Sequence, residues 1–188
     1  MSAEILAREQ PAAADPIHEL IRLGDHRGAI GLCARYHGAS IGRLCMAWLG
    51  SQAEAEEAAQ ETMLAALDAM AAYRAEGTVR SWLFGIARRV CARRAETHTR
   101  REARLRLVRD EQPEAPGADA LVSLRRSTER VRAALATLKP SERDVVVLRY
   151  EADMTFREVA EACGIEEATA RKRASRALER LRTALSEE

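Results

Sequence analysis

Arg171, Lys172, Arg173, Arg176 and Arg180 crowd into one short segment, TFREVAEACGIEEATARKRASRALERLR, which runs from Thr155 to Arg182. Guanidinium and ammonium groups at this density offer directed donors to phosphate oxygens and guanine edges, a task that suits the planar, multi-donor fork of arginine. A second cationic cluster lies between Ile86 and Arg106, where eight arginines stand against two glutamates, a local charge of +6. The opposite sign collects elsewhere. Glu54, Glu57, Glu61 and Asp68 recur along one side of a helical stretch with no basic residue between Ser51 and Met70, and such an acidic strip suits a cationic protein partner.

Catalytic chemistry has no comparable signature. No nucleophile is paired with a base, and no phosphate-cradling glycine loop is present. Cys33, Cys45, Cys91 and Cys163 show no CxxC pairing, and their spacing to His18, His26, His37 and His98 fits no zinc site. They read as buried thiols of a cytoplasmic protein that needs no metal or cofactor. The N-terminus lacks the pattern of a secretory signal, and no apolar run approaches the ~20 residues of a membrane span. Over the 188 residues the formal net charge is only +1, so any nucleic-acid surface must come from local segregation of charge.

The elements that carry these groups are helical. Aromatic residues make up only 4% of the chain, alternating β-branched runs are missing, and apolar residues recur at helical spacing nearly throughout. Residues 1–14 read as a flexible tail. Asp15-Pro16 caps a short helix that Gly24 ends. A second helix is expected over 27–48, weakened or interrupted by Gly28, Gly31, Gly38 and Gly42, and Gly50-Ser51 closes it. A third spans 53–72 with Ala55, Ala59, Met63, Leu67 and Met70 on its apolar stripe. Thr78 then caps a fourth, whose buried side carries Leu83, Ile86, Ala87 and Val90. From 109 to 122 the text changes to proline, glycine and acids, RDEQPEAPGADA, a flexible linker. The fold class is therefore all-α: two small helical domains, 15–108 and 123–188, joined by that linker.

In the second domain, breaks fall at Lys139-Pro140 and Gly164. Thr155 and Glu158 form a capping box, and Phe156, Val159, Ala160 and Cys163 follow at helical spacing. Gly164 ends that helix in a left-handed turn, and a new helix resumes within two or three residues. Ala170, Ala174, Ala177, Leu178, Leu181 and Leu185 share one face of it, with the cations on another. Two short helices about a tight corner, one face buried and one cationic, make a helix-turn-helix whose second helix enters the major groove.

The run LKPSERDVVVLRYEADMTFREVAEACGIEEATARKRASRALERLR resembles the promoter-reading C-terminal domain of bacterial sigma factors. AEAEEAAQETMLAAL resembles their polymerase-docking helix, and GTVRSWLFGIARRVCARR their strand-opening loop and minus-10-reading helix. The order and the simple tether are similar to the extracytoplasmic-function class, and the resemblance covers about residues 16–185. It implies docking on core RNA polymerase through Glu57, Gln60 and Glu61. It assigns the minus-10 element to Tyr73, Arg74, Arg80, Arg88, Arg89 and Arg93, on the loop 73–80 and the helix 82–94. Tyr73 would be a stacking surface for an extruded base, while Trp82 reads better as a core anchor. The minus-35 element falls to Thr169, Arg171, Lys172, Arg173 and Arg176. Promoter DNA and a separate anti-sigma factor are the further partners implied, with no membrane contact of the chain's own.

Three departures from the family pattern stand out. Glu166-Glu167 precede the recognition helix, Arg89 follows IAR where asparagine is frequent, and Ala58-Ala59 replace a bulky pair before the docking glutamine. The competing reading is a helix-turn-helix regulator that binds duplex DNA without being a polymerase subunit. A more distant one is a helical adaptor whose cationic end binds an acidic protein.

Overall fold

A computed structural model describes residues 15–106, 130–131 and 133–186; the expected tail and linker lie outside them. Four helices form the first unit: α1 (Pro16–Arg22), α2 (His26–Leu49), α3 (Gln52–Ala69), extended by a 3-10 turn at Met70–Ala72, and α4 (Val79–Arg106). The second unit comprises a helical stretch at 133–137, α5 (Pro140–Val146) running into a wide π-type turn at Val147–Glu151, α6 (Phe156–Cys163) and α7 (Glu167–Ser186). No strand occurs among the described residues.

The caps follow the sequence closely. The Asp15 carboxylate accepts the Ile17 amide at 2.9 Å, the Asp25 carboxylate accepts Gly28 at 2.9 Å, and the Thr78 hydroxyl accepts Ser81 at 2.9 Å. Each satisfies an amide that a helix start leaves without a partner. Between α6 and α7, Gly164 takes φ +65°, a conformation that costs a residue with a Cβ about 1–2 kcal/mol. The Thr155–Glu158 capping box is complete in both directions.

Three expectations need correction. Helix α2 is continuous from His26 to Leu49 despite its four glycines. Its buried stripe of Ala29, Cys33, Ile41, Leu44, Cys45 and Trp48 supplies the tertiary packing that overrides weak intrinsic propensity. On α3 the fully buried positions are Ala55, Ala58, Thr62 and Ala66, with Ala59, Met63 and Leu67 only half-buried. The stripe is rotated toward the small residues because the close approach of α2 and α4 leaves no room there for longer side chains. On α4, Leu83, Ile86, Ala87 and Val90 are all buried as expected, and Phe84 joins them. On α7, Ala170, Ala174 and Ala177 face inward, whereas Leu178 and Leu185 are exposed.

The two units pack against one another. One apolar cluster runs from Ile17, Leu44 and Phe84 of the first unit to Val145, Leu148, Val159 and Ala170 of the second. The backbones come close at Gly85, in the second turn of α4. A Cβ there would stand 3.0 Å from the carbonyl oxygen of Ala162 and 3.5 Å from its Cα. Glycine inside a helix costs about 1 kcal/mol relative to alanine, a cost offset here by letting the backbone of α6 lie directly on α4.

Candidate functional site

The residues singled out from the sequence occupy three surfaces. On α7, Arg171, Lys172 and Arg176 are exposed, and Thr169 and Arg173 are half-buried beside them. Arg171 is the most constrained. It bonds to Glu167 one turn earlier at 2.5 Å, and its guanidinium lies 4.8 Å from the centre of the Phe156 ring. The ring is also met by Arg149, 5.4 Å away. These stacking contacts hold the corner of the helix-turn-helix and aim α7 outward. Lys172 and Arg176 extend from its open side.

On α3, Glu57 and Gln60 are exposed and Glu61 is half-buried. The acidic strip does not stand apart from the arginine cluster, as its segregation in sequence suggests. Arg94 reaches from α4 to Glu61 at 2.8 Å and to Glu57 at 2.9 Å, and Arg93 also bonds Glu61. Antiparallel packing of α3 on α4 brings the two charge sets face to face. Hydrogen bonding from Arg94, opposed by burial and reinforced by Arg93, holds the Glu61 carboxyl below its ordinary range.

The third surface is α4 with the turn before it. Tyr73 is half-buried, its ring 5.1 Å from that of Trp82 and 5.9 Å from that of His18, and its hydroxyl donates to the Gly77 carbonyl at 2.8 Å. Trp82 is likewise half-buried. Both rings brace the turn, so the face of Tyr73 is partly committed to packing. Arg74 is exposed beside Glu76. Arg89 and Arg93 are exposed. Arg80 and Arg88 differ from the others because both enter the contact with the second unit. Arg80 meets Glu158 at 3.3 Å, donates to the Ala152 carbonyl and lies over the Phe84 ring. Arg88 bonds Asp144 at 3.1 Å.

Asp144, Glu158 and Glu161 therefore belong to the site, and sequence spacing alone does not single them out. Glu158 is legible there only as a helix cap. Asp144 and Glu161 sit among ordinary helical charges, and the one hint of their role is the glycine at 85, which marks α4 as a surface approached closely. Burial pushes the Asp144 carboxyl up, with Arg88 pulling the other way. The thiols are packed groups: burial raises Cys33 and Cys163 each to about 11, and hydrogen bonding to Cys45 together with burial raises Cys91. Among the described residues, no three His, Cys, Asp or Glu side chains converge as a metal site, and no helix is long and apolar enough to cross a membrane.

Comparison with known proteins identifies the family to which these surfaces belong. Residues 33–101 match the family model for sigma-70 region 2, and residues 134–183 match that for sigma-70 region 4. The chain is 30% identical over 141 residues to a probable RNA polymerase sigma-C factor of Mycobacterium bovis and, to the same extent, to the ECF RNA polymerase sigma factor SigC of Mycobacterium tuberculosis; 72% of each chain is covered. Among solved structures, the fold resembles CnrH, in complex with the cytosolic domain of CnrY, with a TM-score of 0.67 and 20% identity, over 92% of this chain and 99% of that one. It also resembles the sigma factor RpoE of Bartonella quintana, crystallised with the anti-sigma factor NepR, with a TM-score of 0.62 and 20% identity, over 81% of this chain and 94% of that one. With both regions present in order on one all-helical chain, this protein belongs to the sigma-70 family of RNA polymerase sigma factors, in its extracytoplasmic-function class.

Proposed function

We propose that the chain, a sigma factor that binds core RNA polymerase and promoter DNA, divides this work among its three surfaces. The outer face of α3, with Glu57, Gln60 and Glu61, docks on the polymerase. Helix α4 and the turn from Tyr73 to Arg80 read and open the minus-10 element. Helix α7, through Thr169, Arg171, Lys172, Arg173 and Arg176, reads the minus-35 element. The observation that carries this division is the outward cationic face of α7, held by the Arg171–Phe156–Arg149 stack at the corner of a capped helix-turn-helix. Such a helix fits the major groove, with phosphate contacts setting its position and base-edge contacts its sequence preference.

The protein on this reading carries no catalytic step; the polymerase does the chemistry. It works in the cytoplasm, where polymerase and promoter are. Control falls to a separate anti-sigma protein, a reading supported by the complex of RpoE with the anti-sigma factor NepR, to whose fold this chain is similar. The test is a pull-down with purified bacterial core polymerase followed by run-off transcription from a pool of the organism's own promoters. Core binding with specific start sites is the expected result. Binding to duplex DNA without binding to core would make the chain a duplex-binding regulator instead.

A further inference from the structure

Between the end of α2, the middle of α4 and the start of α5 lies a cavity of about 380 Å³, lined by Trp48, Arg88, Cys91, Arg143 and Asp144. It opens to solvent past Ala92, Glu96 and Pro140, all of them exposed. Its size is that of a small-molecule site. The lining holds three donors with nothing to donate to. Trp48 is 7% exposed, and its indole Nε1–H faces the Asp144 carboxylate without reaching bonding geometry. Arg88 donates from Nη1 to Asp144 at 3.1 Å. The Nε of Arg88 and the Nε of Arg143 are both buried, and neither has a hydrogen-bond partner among the described residues. A buried N–H without an acceptor carries its full desolvation penalty, and native structures leave few of them. Three around one cavity point to an acceptor that binds there.

Charge and shape narrow the acceptor. Two guanidinium groups stand against one enclosed carboxylate, that of Asp144, while Glu96 is exposed at the mouth, where water solvates it. The enclosed lining therefore has a surplus of one positive charge, which a monoanion balances. A carboxylate offers about four lone-pair sites on two oxygens, enough for the indole and both guanidinium donors. The remaining wall is apolar, made by the Trp48 ring, Cys91, Ala92 and Pro140. An inorganic anion leaves that wall uncovered, whereas an acid with an apolar body buries it.

We propose that this cavity binds a small organic monocarboxylate with an apolar body, its carboxylate held by Trp48, Arg88 and Arg143. The bound acid bridges α2 and α4 to α5 and stabilises the folded chain by mass action.

Benzoate is the probe, with benzamide as its neutral isostere and acetate as the carboxylate without the body. The chain has two tryptophans, Trp48 and Trp82, so a nitrogen–proton correlation spectrum of the full chain shows two indole N–H signals, assigned through Trp82→Phe. Benzoate at millimolar concentration should move the Trp48 signal downfield, as a new hydrogen bond requires, leave that of Trp82 in place and raise the thermal midpoint. Benzamide and acetate should each bind at least about tenfold more weakly, the first for want of charge and the second for want of buried area. Arg143→Met removes one guanidinium but keeps a long unbranched side chain, and should weaken benzoate binding by at least about tenfold. Ala92→Leu fills the mouth of the cavity with all three donors in place, and should weaken it to the same extent.

A Trp48 signal that benzoate does not move would overturn the proposal, as would benzamide binding as tightly as benzoate. Undiminished benzoate affinity in either variant, its fold checked by circular dichroism, would place the acid elsewhere and overturn it too. Should Arg143→Met fail to fold, Ala92→Leu decides, because it changes only an exposed position on a helix and leucine is a good helix former.

Discussion

Arg171, Lys172 and Arg176 are neighbours on one helix, yet the structure gives them different freedom. Arg171 is bonded to Glu167 and stacked on Phe156, so replacing it disturbs the turn as well as any DNA contact. Lys172 and Arg176 are exposed and give the cleaner test. Lys172→Glu with Arg176→Glu should lower run-off transcription from a minus-35-dependent promoter by at least about tenfold, because each lost contact costs about 1–3 kcal/mol, while core polymerase binding is unchanged. Equal loss of both activities in a folded variant would remove the assignment. Glu61 supports a prediction in pH. Its folded pKa is depressed below 4.5 by Arg94 and Arg93, so the ionised form stabilises the fold at neutral pH, and that contribution fades as pH falls through the lowered value. The difference in denaturant midpoint between wild type and Glu61→Gln should therefore be largest near neutrality and shrink below about pH 4; a difference that grows on acidification would contradict the α3–α4 pairing.

At the scale of helices, most starts and stops are legible in the sequence because the groups that set them are close neighbours along the chain. Asp15, Ser51, Thr78 and Thr155 act within three residues of themselves, and such local chemistry is written directly in sequence. The errors lie where a neighbouring helix decides. The buried stripe of α3 is turned toward Ala58, Thr62 and Ala66 by the closeness of α2 and α4, and α2 runs unbroken because its apolar face is covered along its length. Helix α3 also shows why a charge strip alone misleads. Glu57 and Glu61 share their charge with Arg94, so reversing them would break the α3–α4 contact along with any docking. Gln60 is exposed between them. Gln60→Arg should weaken affinity for core polymerase by about tenfold, a loss of ~1.4 kcal/mol, with the thermal midpoint unchanged; wild-type affinity would place the docking surface elsewhere.

The relation between the two units is the least legible feature, because no single residue announces it. A linker rich in proline, glycine and acids suggests two independent bodies, and Leu83, Ile86 and Val90 account for themselves within the first. Only the close approach at Gly85 and the oppositely charged pairs across the contact reveal one shared core, and these depend on residues about 60 to 80 positions apart coming together. A shared core has a thermodynamic consequence. When an apolar cluster spans both units, each stabilises the other, and small domains so joined unfold in one cooperative step. Both tryptophans, Trp48 and Trp82, belong to the first unit, and Trp48 also faces Asp144 of the second, so their fluorescence follows that unit and its contact with the second, while far-UV circular dichroism follows every helix. In wild type the two denaturation curves should coincide. In Gly85→Leu they should separate, with the dichroism showing an earlier transition as the smaller second unit melts on its own. Curves that separate already in wild type would mean that the units fold independently and that the interface contributes little to the stability of either.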